Sequence, residues 1–236
     1  QILMLITFLI TIIHVGTNIR IVHLKAHQTS MIPKEVYHNL LFNIIVSIVF
    51  TLVVGMVFSP LLHLFQVPKD IFNLTYQFGL VILSVLTLTS TQMYIGTVLR
   101  IMNYAAIATR ITVISNLTNI ILNAFVLFII PDLVGNPVLA VAYATAISRL
   151  LGCLLAFIAL LKIYRPKLHY FKINFKILYQ VSTLGIPSAG EQISYNFAQT
   201  FTTAFIAMLG TQVIAAKSVA TVLSGLSFSC AMAFSA

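Results

Sequence analysis

The feature that most constrains this chain is a series of seven long apolar runs: Ile2–Ile19, Leu40–Leu64, Phe78–Leu99, Ile111–Ile130, Val138–Leu161, Ile186–Leu209 and Val213–Ala236. A bilayer crossing takes roughly 20 apolar residues, so each run is long enough to span or nearly span the hydrocarbon core. Backbone polar groups cannot stay unpaired in lipid, and the alternation of a barrel strand is missing, so the runs read as helices. Prolines fall at or near run ends, at Pro33, Ser59-Pro60, Pro68, Pro131, Asn136-Pro137 and Gly185-Ile186-Pro187, where they can start or stop a helix. Only 7% of the 236 residues are charged, too few to coat a water-facing surface. The expected class is all-α, a polytopic integral membrane protein.

The net charge of +9 would suit nucleic acid if it were gathered on one face, but the basic residues are scattered between the runs, so no nucleic-acid partner is expected. They alternate instead. Lys25, Lys34, Arg100, Arg110, Lys162, Arg165, Lys167, Lys172 and Lys176 fall in the first, third and fifth connections, with Arg20 close by; the other connections have Lys69, with Lys217 just inside the next run. Ten against two places the first set in the cytoplasm beside anionic lipid headgroups, and Gln1 outside. An outside start with no signal peptide calls for an earlier helix, and the last run ends without a polar tail, so the chain reads as a piece of a longer polypeptide. In the 162–185 connection, Leu168, Phe171, Phe175 and Leu178 recur at helical spacing around Lys172 and Lys176, the pattern of a short amphipathic helix on the inner surface joining two bundles.

Soluble-enzyme chemistry finds no support. Between Gly210 and Lys217-Ser218 a P-loop would need glycine where Ala216 stands, and HExxH, CxxC and GxSxG are missing. His23 and His27, four apart, belong at the headgroup level rather than to a metal, and Cys153 and Cys230 lie in apolar runs, where a disulfide framework is not expected. No cofactor is implied.

What remains is polarity inside the runs. Thr112, Asn116, Asn119 and Asn123 share one side of the fourth run, and Ser84, Thr87, Thr91 and Tyr94 one side of the third. In the sixth, Gln192, Asn196, Gln199 and Thr203 form one stripe and Glu191, Tyr195 and Thr202 its neighbour. Amide side chains avoid lipid and face other helices or a wet cavity, and three such stripes point to a shared polar cavity. Glu191 is read as the one acid inside a run; from a helix start near Pro187 it would lie about 6–8 Å in, able to bind and release a proton or a sodium ion. Arg149, about 17 Å along its helix, needs an acceptor, for which Glu191 or helix carbonyls are the candidates.

Several stretches resemble one family. Gly96-Thr97-Val98-Leu99-Arg100 with Asn103, Thr109-Arg110, Asn116, Asn119 and Asn123 is similar to the fourth and fifth helices of MATE (multidrug and toxic compound extrusion) transporters. Asn136-Pro137 leading into 141–149 resembles the sixth helix, Leu184-Gly185-Ile186-Pro187-Ser188-Ala189-Gly190-Glu191-Gln192 the start of the seventh, and 209–216 the turn into the eighth. The resemblance maps the chain onto helices two to eight of twelve, with 1–161 as most of the N-terminal lobe, 162–185 as the cytoplasmic linker and 186–236 as the start of the C-terminal lobe.

Such proteins exchange H+ or Na+ for organic, often cationic substrates by rocking two six-helix lobes around a central cavity. The resemblance therefore implies a monomeric, cation-coupled antiporter of the plasma membrane. Glu191 would take the coupling cation; Gln192, Tyr195, Asn196, Gln199, Asn116, Asn119, Asn123 and Tyr94 would line the cavity; Arg149 would be a structural or substrate-path residue. The first-helix acid used by many members falls outside this chain, and in some members the seventh-helix acid lies about one turn deeper than Glu191. A flippase of lipid-linked oligosaccharides in the same superfamily is the alternative. A seven-helix receptor fits the span count but not its motifs, since Asp-Arg-Tyr and Asn-Pro-x-x-Tyr are missing; a channel lacks a repeated filter motif.

Overall fold

A computed structural model describes residues 2–27, 29–64, 69–129, 136–166, 170 and 175–207, with helical positions 217, 220, 221, 224, 225 and 227. Seven α-helices with defined bounds follow in chain order among the described residues: α1 (Ile2–His27), α2 (Ile32–Leu64), α3 (Lys69–Ser84), α4 (Leu86–Ile101), α5 (Ala105–Ala124), α6 (Pro137–Ile163) and α7 (Phe175–Ala207). A 3-10 turn at Thr29–Met31 joins α1 to α2, and a π turn at Phe125–Ile129 extends α5. No strand occurs among the described residues. Four segments among them are long and apolar enough to cross a membrane: Thr29–His63, Lys69–Ile101, Ala105–Ile129 and Pro137–Ile163. The fold is that of an all-helical polytopic membrane protein.

The helix ends have local causes. Asn136 caps α6, its side chain accepting from the Val138 amide at 3.0 Å, and Pro137 sits where a missing N–H costs nothing. Between α4 and α5 the chain turns through Asn103 at φ +66°, a left-handed position asparagine tolerates. Lys25 reaches that turn from α1, donating to the Ile101 carbonyl at 2.6 Å and to Asn103 Oδ1 at 3.1 Å. A cation there also complements the C-terminal end of α4.

Three sequence boundaries are corrected. The run expected over Phe78–Leu99 is two helices meeting at Val85, whose φ of −101° and ψ of 4° leave the helical range, so Ser84 stands on the far side of a break from Thr87, Thr91 and Tyr94. The second span begins eight residues before Leu40, at Ile32, because Glu35, His38 and Asn39 are buried against neighbouring helices instead of exposed in a loop. The third correction concerns α7, which starts at Phe175 and continues through Pro187 to Ala207, with no new start at Ile186; Pro60 likewise lies inside α2. Membrane helices accommodate such prolines, since neighbouring groups can re-satisfy the freed carbonyl. Leu168 and Phe171 of the expected amphipathic helix, and all but isolated positions of the run Val213–Ala236, lie outside the described residues.

The chain divides into two compact units, Gln1–Ala189 and Gly190–Ala236. In the first, one apolar cluster gathers Ile21, Val36, Leu40, Tyr94, Val98, Ile111 and Leu160 from five helices. A second, Val54, Phe58, Leu62, Leu83 and Leu86, holds the other end of α2 against α3 and α4. Between them along α2 the buried residues are polar, Asn43 and Ser47. Close approach is set by glycine at two places: a Cβ on Gly16 would strike the Val181 carbonyl of α7, and one on Gly152 of α6 would strike the Gln92 amide of α4. Cys153 is buried with a free thiol. Apolar side chains such as Met56, Ile120 and Phe128 point outward, as expected where lipid is the solvent.

Candidate functional site

The most polar part of the first unit is where α1, α2 and α4 meet. On α2, Glu35, Asn39, Asn43 and Ser47 recur every four residues, so they share one face, and all four are buried. From α1 come His14 and Thr17, also buried, and Arg20. From α4 come Ser90, Thr91 and Tyr94. Ser90 donates to Asn43 Oδ1 at 2.8 Å, and His14 Nε2 lies 3.3 Å from the same oxygen. Tyr94 donates its hydroxyl to the Val36 carbonyl at 2.9 Å, with its ring 6.1 Å from that of His14.

Toward the basic end of α1, Arg20 pairs with Glu35 and donates from Nη1 to Gln180 Oε1 at 2.5 Å. Glu35 is therefore a buried acid on a membrane helix, so the sequence reading of Glu191 as the one acid inside a run is corrected. Its sequence signal is the four-residue spacing to Asn39, Asn43 and Ser47, which hydropathy alone does not show because the apolar run starts only at Leu40. An open groove of about 590 Å³ lies beside this pair, lined by Ile19, Arg20, His23, Leu24, Tyr179 and Gln180 among others.

Among the predicted residues, Tyr94 does not line a cavity. It is closed inside the bundle, where its hydroxyl ties α4 to α2, because the aromatic ring packs into the core beside α1 and α2. Along α5 the stripe splits. Asn119 and Asn123 are half-buried: Asn119 donates to Thr145 Oγ1 of α6 at 3.2 Å, and Asn123 donates back to Asn119 Oδ1 at 3.3 Å. Asn116 and Thr112 are exposed. Ser115, on an adjoining face and not singled out from sequence, is buried and donates to the Ser148 carbonyl at 2.9 Å. The π turn begins two residues beyond Asn123, and such turns mark local departures from helical packing. Arg149 is half-buried on α6, with no hydrogen-bond or ion-pair partner among the described residues of its unit.

In the second unit Glu191 is exposed on α7. Because the helix starts at Phe175, Glu191 lies about 24 Å along it rather than near its end. Tyr195 and Gln199 follow on the next two turns, exposed, with Gln199 Nε2 donating to the Tyr195 hydroxyl at 3.3 Å. The side chains of Gln192, Asn196 and Thr203 lie outside the described residues. Chemically, α7 offers one carboxylate and a phenol–amide pair on one face, while α5 and α6 offer amides and hydroxyls; among the described residues no group of three potential metal ligands occurs.

The MatE family profile matches residues 1–125. An uncharacterized transporter, YisQ of Bacillus subtilis (strain 168), is 30% identical over 224 residues, covering 92% of this chain and 49% of that protein. Among solved structures, a MOP superfamily transporter from Pyrococcus furiosus, described as having a binding pocket of reverse polarity that suggests a different function, superposes with a TM-score of 0.83 at 21% identity. It matches 95% of this chain and 50% of its own. The outward-facing conformation of a multidrug resistance MATE family transporter superposes with a TM-score of 0.82 at 21% identity, over 95% of this chain and 50% of its own. The chain spans about half the length of each of these relatives. A matched profile over more than half the sequence, on a helical bundle shared with those structures, shows that this chain belongs to the MatE family of membrane transporters.

Proposed function

We propose that the protein to which this chain belongs is a cation-coupled antiporter of the cytoplasmic membrane, exchanging H+ or Na+ for organic, cationic compounds by alternating access, and that Glu191 carries the coupling cation. The observation that carries this reading is the placement of Glu191 midway along α7, about 24 Å from its start, on an exposed face continued by Tyr195 and Gln199. An ionised carboxylate facing lipid from a membrane helix costs several kcal/mol, so it belongs in water, beside a cation or in its protonated form. A group with those options can hold a proton or sodium ion in one state and yield to an organic cation in the other. Asn116, exposed on α5, and Asn119 and Asn123 supply amides suited to a wet cavity wall. The protein works as a monomer without a cofactor.

The test uses the full-length protein in proteoliposomes loaded with a fluorescent organic cation and driven separately by a pH and a sodium gradient. One gradient is expected to drive efflux, and Glu191→Gln is expected to reduce coupled efflux at least about tenfold; undiminished coupled efflux in the variant overturns the site. Arg149, half-buried and unpaired among the described residues of its unit, favours a second reading, a cavity that takes anionic lipid-linked headgroups. Headgroup-dependent flipping in the same vesicles, with no efflux of cations, would select it.

A further inference from the structure

The α1–α2 hairpin is antiparallel, and two of its rungs are paired side chains: His14 with Asn43, and Arg20 with Glu35. In that antiparallel register the position midway between them pairs Thr17 of α1 with Asn39 of α2. Both are buried, at 2% and 0% exposure, and among the described residues neither the Thr17 hydroxyl nor either end of the Asn39 amide has a hydrogen-bond partner. One rung further, the Asn43 Nδ2 is also unpartnered. Four of the six buried polar atoms in that condition thus lie on two neighbouring rungs. Buried amides and hydroxyls are almost always satisfied, by protein or by an ordered water, because leaving one bare costs about 1–3 kcal/mol.

We propose that the Thr17–Asn39 rung binds water, hydrogen-bonded onward to Asn43, so that the polar groups from the Arg20–Glu35 pair to His14 form one ladder open to proton exchange from the basic end of α1. The donor and acceptor set selects water over a bare cation. Whichever way the Asn39 amide is turned, it presents a donating NH2 and an accepting oxygen, and the Asn43 Nδ2 adds a second donating group. Water answers both kinds of group, whereas a cation answers only the oxygens and is repelled by the NH2 groups. Charge agrees, since the nearest ions, Arg20 and Glu35, neutralise each other.

The ladder ends on His14, whose ring faces Asn43 of α2 and the backbone of Ser90 on α4. Tyr94 of α4 lies beside that ring, and His38 of α2 is a second buried imidazole. From His27, His14 is about 20 Å along α1, so protons reaching it from that end have entered the middle of the bundle. Exchange along the ladder makes one N–H or O–H bond for each one broken and needs no other reactant.

The inference does not rest on the antiport reading: its readouts use no gradient, no substrate and not Glu191. In full-length protein labelled with 15N at the histidine rings and held in nanodiscs, His14 is assigned by the signal lost in His14→Gln, and exchange of its ring N–H with water is timed. Thr17→Val with Asn39→Leu, which fills the rung with apolar atoms of similar shape, is expected to slow that exchange at least tenfold without lowering the thermal midpoint. A His14 ring proton that exchanges no faster in the natural protein than in the double variant overturns the proposal. Should the variant not fold, a high-resolution structure of the natural protein decides. Density for a water within about 3.2 Å of both Thr17 Oγ1 and Asn39 supports the ladder. An empty rung, or a thallium anomalous peak on it, overturns the proposal.

Discussion

Glu35 shows how an acid becomes part of a membrane bundle. Its carboxylate is 2% exposed and would be costly alone, but Arg20 supplies a counter-charge and Gln180 takes up a second donor of the same guanidinium. Removing one partner leaves the other charge in place without compensation. Glu35→Gln is accordingly expected to cost about 2–3 kcal/mol, at the low end of buried-pair losses because Arg20 is still 23% exposed. Thermal unfolding of the full-length protein in detergent measures it, and an unchanged midpoint would show that solvent reaches the pair freely. The sequence contained this site, since Glu35, Asn39, Asn43 and Ser47 stand four apart. It was missed because hydropathy alone sets a helix start at the first apolar residue, whereas paired polar residues extend a buried helix beyond it.

At the scale of elements, α7 departs most from the sequence reading. Pro187 looked like a helix start; the helix instead runs through it, and this moves Glu191 from the first turns to the midpoint of a 33-residue rod. The early part of α7 is fastened to α1 by Arg20–Gln180 and by the contact of Gly16 with the Val181 carbonyl. A backbone carbonyl cannot swing aside as a side-chain tip can. Gly16→Ala should therefore push the two helices apart and cost roughly 1–3 kcal/mol, against a much smaller loss for Gly152→Ala, where only the flexible Gln92 amide must move. Melting midpoints of the two variants side by side test this, and equal losses would show that the α1–α7 crossing yields easily.

For the whole molecule, orientation follows from charge. We propose that the basic connections face the cytoplasm, since Lys and Arg are retained on that side during insertion. A cysteine placed at Arg165 of full-length protein from which the natural cysteines have been removed should react with a membrane-impermeant maleimide only in inverted vesicles, and one at Lys69 only in whole cells. The reverse pattern would overturn the topology.

What the sequence by itself determined is what depends on composition along the chain: apolar runs dictate membrane helices, and the ordered motifs carried the family. What only the tertiary structure decided is which polar group meets which. A stripe at helical spacing has the same sequence whether it faces a cavity, as proposed for α7, or another helix, as Tyr94 does at Val36 and Asn119 at Thr145. The physical reason is that periodicity determines a direction around one helix, while the partner found in that direction depends on the packing of helices distant in the chain.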